Sequence, residues 1–140
     1  MNNLPRDSKI IIDELRASFE RQLSIYEELR DSVRSNMSKL ILARGDAGVL
    51  MSGVDKKVKL IDRINAERNS ISEHISFWQE YRQKLPPSDR SAAALNEILT
   101  RTEDVIKAFL AEEEKLKQYV EKMYKKGGGE GIAEGAQGQG

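Results

Sequence analysis

The sequence contains no cysteine and a single histidine. The first absence excludes a disulfide framework, a thiolate metal site and a cysteine nucleophile; the second excludes a multi-histidine metal site within one chain. Long apolar runs are also missing: none exceeds four residues, as in Ala92–Leu95, against the roughly 20 needed to span a bilayer. The N-terminal segment carries no apolar stretch of the secretion-signal kind, so a cytoplasmic location is expected. Net charge is absent as well. Across 140 residues, 23 Lys and Arg balance 23 Asp and Glu, and the pI is near 6.6. That balance disfavours nucleic-acid binding, which needs a basic face, and a polybasic membrane anchor.

Helix breakers are scarce where they matter. Seven of the ten glycines fall in residues 127–140, and the other three, Gly45, Gly48 and Gly53, sit together. The three prolines are Pro5, Pro86 and Pro87. Breakers gathered at two internal points and one end divide the chain into three long helices, about 8–44, 49–85 and 89–125, followed by a tail. The tail, GGGEGIAEGAQGQG, holds too little apolar surface to order itself and is expected to be disordered. The domain boundaries are therefore 1–126 for a helical domain and 127–140 for the tail.

What fills the clean stretches is helical periodicity. The first carries Leu15, Phe19, Tyr26, Leu29, Val33, Met37 and Leu40, with Gln22 in the one missed turn. The second carries Leu50, Val54, Val58, Ile61, Ile64, Ile71, Ile75, Trp78 and Leu85, interrupted at Arg68. The third carries Leu95, Ile98, Thr102, Val105, Phe109, Leu116, Val120 and Met123. Acid-first pairs four apart, such as Glu103–Lys107 and Glu113–Lys117, support the helical reading. Helices of this length imply an all-α, elongated antiparallel bundle of three helices with coiled-coil-like packing. Asp46 or Ser52 is the expected N-cap of the second helix, and Ser88 or Asp89 that of the third.

Candidate chemistry is thin. His74 could suggest a phosphotransfer bundle, but it is followed by Ile-Ser-Phe-Trp rather than the lysine and glycine such domains place after the reactive histidine, so a place beside the apolar stripe or on a solvated surface is the better reading. Arg44-Gly45-Asp46 spells an adhesion tripeptide but reads structurally as a C-cap glycine followed by an N-cap aspartate. Glu112, Glu113 and Glu114 would point in three directions on a helix, which suits a solvated face better than an acid–base pair. Phe77, Trp78 and Tyr81 read as a core plug, or else as a partner anchor. No nucleophile–base pair, metal cluster or phosphate loop can be named, so neither enzyme activity nor a cofactor is expected.

The third segment holds apolar doublets: Ile98-Leu99, Val105-Ile106, Phe109-Leu110 and Tyr119-Val120. Doublets widen the stripe beyond the needs of one narrow core. Such a stripe either packs against two neighbours or leaves an edge for a partner.

At the first junction the chain reads KLILARGDAGVL over 39–50 and then KVKLIDRINAER over 57–68. A long helix, a Gly-Asp break, a leucine, then lysine and an apolar heptad ending in Glu-Arg resembles the FlgN family of flagellar export chaperones. The third segment, ending Met123-Tyr124-Lys-Lys-Gly127, resembles that family too, and the likeness covers most of residues 10–128. It implies a cytoplasmic chaperone of type III secretion that binds hook–filament junction proteins of the FlgK and FlgL type, prevents their premature assembly and delivers them to the export gate. It implies a client-binding stripe on the C-terminal helix, here Val105, Ile106, Phe109, Leu110, Leu116, Tyr119, Val120, Met123 and Tyr124. It also implies gate docking by a tyrosine near that helix end, which Tyr124 matches by position and Tyr119 rivals. The glycine-rich tail is longer than the family leads one to expect. Periodicity alone supports a helical interaction protein, and a structural coiled-coil adaptor or oligomeric spacer without a client, with self-association, is the alternative.

Overall fold

A computed structural model describes residues 8–86 and 88–126. The glycine-rich tail, expected to be disordered, lies outside the described residues. The chain is all-α, with no strand among the described residues: α1 Ser8–Leu42, α2 Ala47–Ser70, α3 Ser72–Tyr81, a 3-10 turn Arg82–Lys84, and α4 Arg90–Lys126.

The expected second helix, 49–85, is two helices. It breaks at Ile71, whose backbone leaves helical geometry at φ −116° and ψ 16°. Asn69, Ser70 and Ser72 surround this point, and short polar side chains compete with the helix for backbone groups. Ser70 does so directly: its hydroxyl donates to the Glu67 carbonyl at 2.7 Å. The Ile71 N–H turns back to the Arg68 carbonyl, while its own carbonyl accepts from Ile75 N–H and starts α3. The segment then ends early. After the 3-10 turn, Leu85 is extended at φ −80° and ψ 140°, the conformation that a following proline favours.

The α1–α2 turn is built from two capping devices. Gly45 N–H bonds to the Leu40 carbonyl and Arg44 N–H to the Ile41 carbonyl, the paired bonds of a Schellman motif. Arg44, rather than a glycine, holds the left-handed position at φ 54°. Asp46 then caps α2, its carboxylate accepting from Val49 N–H at 3.2 Å. Asp89 caps α4 in the same way, through Ala92 N–H at 2.9 Å. Of the alternative caps, Ser52 lies inside α2 and Ser88 precedes the cap.

α1 is the central helix. α2 runs antiparallel to it, as Ser18 meets Glu67 near one end and Asn36 meets Gly53 near the other. α4 runs parallel to α1, as Ile12 and Leu15 pack with Ala92 and Leu95, while Leu29 and Val33 pack with Phe109 and Leu116. α2 and α4, separated in the chain by α3 and the 3-10 turn, approach each other sparsely in their backbones compared with α1–α4 and α1–α2. They are joined instead by a side-chain bridge, Lys57 Nζ to Glu113 at 3.0 Å.

The core has two apolar clusters. One holds Ile25, Leu29, Val33, Leu40, Leu60, Ile64, Phe109 and Leu116. The other holds Ile12, Leu15, Ile71, Trp78, Ala92 and Leu95. Between them lie buried Ser18, Gln22 and Thr102. Gln22 donates to the Ser18 hydroxyl, which donates to Glu67, and Thr102 satisfies its hydroxyl on the Ile98 carbonyl at 2.7 Å. These are the places where the apolar periodicities of α1 and α4 were interrupted. The break in the α2 series was read at Arg68, but Arg68 is exposed and Glu67 is the side chain turned inward.

Candidate partner surface

The third apolar stripe is wide because it serves two helices. Phe109 and Leu116 are buried among residues of α1 and α2, so they belong to the core and are not open to a partner. Tyr119 and Val120 pack half-buried against the same cluster. Met123 covers the α1–α2 turn, where a Cβ added at Gly45 would lie 3.0 Å from its Cε. Val105, Ile106 and Tyr124 are half-buried. Leu110 alone of the nine faces outward, 56% exposed. It shares an open cleft between α2 and α4 with Lys57, Glu113, Glu114 and Lys117.

The sequence reading missed a second stripe on α2. Val58 and Ile61 were placed in the core series, but they face solvent, as does Met51: they are 51%, 38% and 55% exposed. Leu60 and Ile64 take the inward positions instead. Met51, Val54, Val58 and Ile61 recur at spacings of three, four and three, a seam of the kind used by a partner helix. A signal for it was present. Leu50, Leu60 and Ile64 already make one stripe, so Val54, Val58 and Ile61 lie about 100° further round the helix. The register fixed by Lys57 and Glu113 sets Ile61, one turn beyond Lys57, level with Leu110, almost one turn before Glu113. Ile61 and Leu110 therefore stand at one level of the bundle, and Leu110 is the apolar residue that lines the cleft itself.

The polar side chains take structural roles. Glu112 binds Arg34 at 3.5 Å and Lys115 at 3.5 Å, Glu113 binds Lys57, and Glu114 is exposed; the three carboxylates diverge as expected. His74 Nε2 engages the Glu14 carboxylate across the α1–α3 contact. Trp78 is buried, Phe77 and Tyr81 stack with ring centroids 4.7 Å apart, and Lys84 lies over the Tyr81 ring. This is the core-plug arrangement. Glu67 accepts from Arg21 Nε at 3.0 Å and from Ser18. The Arg21 hydrogen bond holds the Glu67 carboxyl below the usual glutamate range, against the opposing effect of its burial, with the Ser18 bond and the Arg21 charge adding to the lowering. Among the described residues, no group of three or more His, Asp or Glu side chains is placed to hold a metal ion, and no helix is long and apolar enough to cross a membrane.

No protein-family model matches the chain, and no significant match is found among curated proteins or solved structures.

Proposed function

We propose that this chain is a cytoplasmic, non-catalytic chaperone that holds an apolar helical segment of an export client. The clients implied by its resemblance are hook–filament junction proteins of the FlgK and FlgL type, kept from premature assembly and delivered to the flagellar export gate. The observation that supports this reading is Leu110, which stands exposed on α4 at the level of exposed Ile61 of α2, while Phe109, Leu116, Tyr119 and Val120 are spent on the core. A helix docked there would extend coiled-coil-like packing to a further strand of the bundle. Tyr124, half-buried near the end of α4, is the side chain we assign to gate docking.

The test is a calorimetric titration of the purified chain with the terminal segments of hook–filament junction proteins. Binding at one client per chain, weakened by Leu110→Ala without loss of melting temperature, supports the reading. Absence of binding, with the chain assembling only with itself, favours the alternative of a coiled-coil spacer. That alternative draws on the same exposed seam of α2.

A further inference from the structure

A cavity of about 410 Å³ opens between α1 and α2 and shares no residue with the cleft at Leu110. Its walls are polar, with Val49 the one apolar side chain. Serine and lysine recur there at three- and four-residue steps, as Ser32, Ser35 and Lys39 on α1 and Ser52 and Lys56 on α2. Elsewhere in the bundle, Ser38, Ser70 and Ser76 each spend the hydroxyl on a backbone carbonyl. The hydroxyls of Ser32, Ser35 and Ser52 make no hydrogen bond among the described residues. Lys39 and Lys56 have no ion-pair partner among the described residues. Asp46, the one acid in the lining, is committed to the N-cap of α2. Just outside, Asp31 is tied to Arg30 and Glu28 to Arg63, while exposed Asp55 and Lys59 flank Lys56 with opposite signs. Two lysines against one aspartate leave the cavity net positive.

The floor carries a second, independent sign of a ligand. Asn36 is more than nine-tenths buried, yet its amide makes no hydrogen bond among the described residues. No side-chain nitrogen or oxygen among the described residues is both sealed from solvent and unpaired, so the amide reaches open space. Asn36 borders this cavity and a neighbouring gap of about 10 Å³, which is too tight for more than a single water. The unspent bonds of the amide are therefore directed at the cavity, where a buried amide costs stability unless something supplies its bonds. The first turn of α2 adds donors of its own. Leu50 N–H takes the Asp46 carbonyl and Val49 N–H the Asp46 carboxylate, which leaves the N–H groups of Ala47 and Gly48 without a partner among the described residues. Gly48 lines the cavity, at the end where the helix dipole is positive.

We propose that this cavity binds a phosphate group carried on a small polar molecule. Phosphate oxygens accept from ammonium, hydroxyl, amide and helix N-terminal N–H groups, and all four kinds line this one space. Its volume falls in the range of small-ligand sites, about 300–1,000 Å³, and exceeds what a bare phosphate fills. Three hydroxyls and a single valine suit a hydroxylated body rather than an apolar one.

The test is a heteronuclear NMR titration of the full chain at low salt with glycerol 3-phosphate, with inorganic phosphate, and with glycerol as the control. Glycerol 3-phosphate is expected to move the Gly48 N–H and the Asn36 side-chain amide resonances along one saturating curve, and glycerol to leave them in place. Inorganic phosphate should saturate the same resonances more weakly; equal or tighter binding keeps the phosphate site and makes the free ion its occupant. Lys39→Gln/Lys56→Gln should keep the melting temperature, because both side chains are exposed, and lower the affinity at least about tenfold. Added salt should weaken binding in the native chain more than in that variant. Shifts that never saturate, shifts spread over lysines elsewhere that leave Gly48 and the Asn36 amide unmoved, or an affinity unchanged in Lys39→Gln/Lys56→Gln would each overturn the proposal.

Discussion

Gly53 of α2 lies against Asn36 of α1, and it offers a test of how tightly the two helices are locked. It sits inside α2, where glycine costs about 1 kcal/mol relative to alanine. On propensity alone, Gly53→Ala should stabilise the protein by that amount. The packing opposes it. A Cβ at this position would lie 2.2 Å from Asn36 Nδ2, 2.3 Å from its Cγ and 2.6 Å from its Oδ1. Asn36 is 8% exposed, so to admit the methyl group its amide must leave a buried site and turn toward the open cleft beside Ser32, Ser35 and Lys39. Forcing a methyl group into such a contact costs about 1–3 kcal/mol. The added gain of about 1 kcal/mol does not offset the upper part of that range, so the net effect is a destabilisation of up to about 2 kcal/mol. In an Asn36→Ala background the obstruction is gone, and Gly53→Ala should stabilise by about 0.5–1 kcal/mol. The sign reversal is the signature, and it corresponds to a coupling of about 1–3 kcal/mol, measured by urea denaturation of the four proteins of the cycle. A stabilisation by Gly53→Ala of about 1 kcal/mol in both backgrounds would refute the reasoning, because it would mean that Asn36 swings aside freely and the contact does not fix the helix spacing.

Arg44→Gly relieves a non-glycine residue at φ 54° and should stabilise by about 1 kcal/mol in thermal melts, whereas Gly45→Ala, at φ 81° and against Met123, should destabilise. Phe109→Ala, in the core, should cost about 3–5 kcal/mol of unfolding free energy, while Leu110→Ala one position on should stay within about 0.5 kcal/mol. The Glu67 network ties stability to pH. Because the folded carboxyl titrates below its unfolded value of about 4.3, its contribution is complete above that value and is lost as pH falls through the folded one. Glu67→Gln should therefore flatten the stability profile between about pH 5 and 3, followed by denaturant midpoints.

The all-α architecture, the caps Asp46 and Asp89, and both ends of α4 were legible in the sequence, because capping side chains, glycine and proline act on the local backbone. The division of the second segment was harder to see. Asn69-Ser70-Ile71-Ser72 contains neither glycine nor proline, and what separates the helices is a competition between hydroxyls and backbone that periodicity does not register. The facing of α4 was hidden for a different reason. Phe109 and Leu110 are equally apolar neighbours, and only the place of α1 and α2 around the helix decides that the first is core and the second is surface. On α2 the same ambiguity ran the other way. Val58 and Ile61 fit a helical stripe as well as Leu60 and Ile64 do, and a helix with two stripes does not say which one its own chain will cover.

The interruptions in the stripes prove more informative than the stripes themselves. Gln22 and Thr102 each looked like a defect in one helix. In the fold Gln22 donates to Ser18 and Ser18 to Glu67 of α2, while Thr102 satisfies its hydroxyl on the Ile98 carbonyl within α4. A shift of α2 along α1 by one turn would carry Glu67 away from Ser18 and Arg21, and a buried polar group left without its partner costs about 1–3 kcal/mol. Repeating apolar seams tolerate such shifts; a polar layer does not. The α1–α2 register that results, together with the Lys57–Glu113 bridge, sets Ile61 level with Leu110, so a layer that interrupts the core also fixes where the exposed residues of the two helices stand.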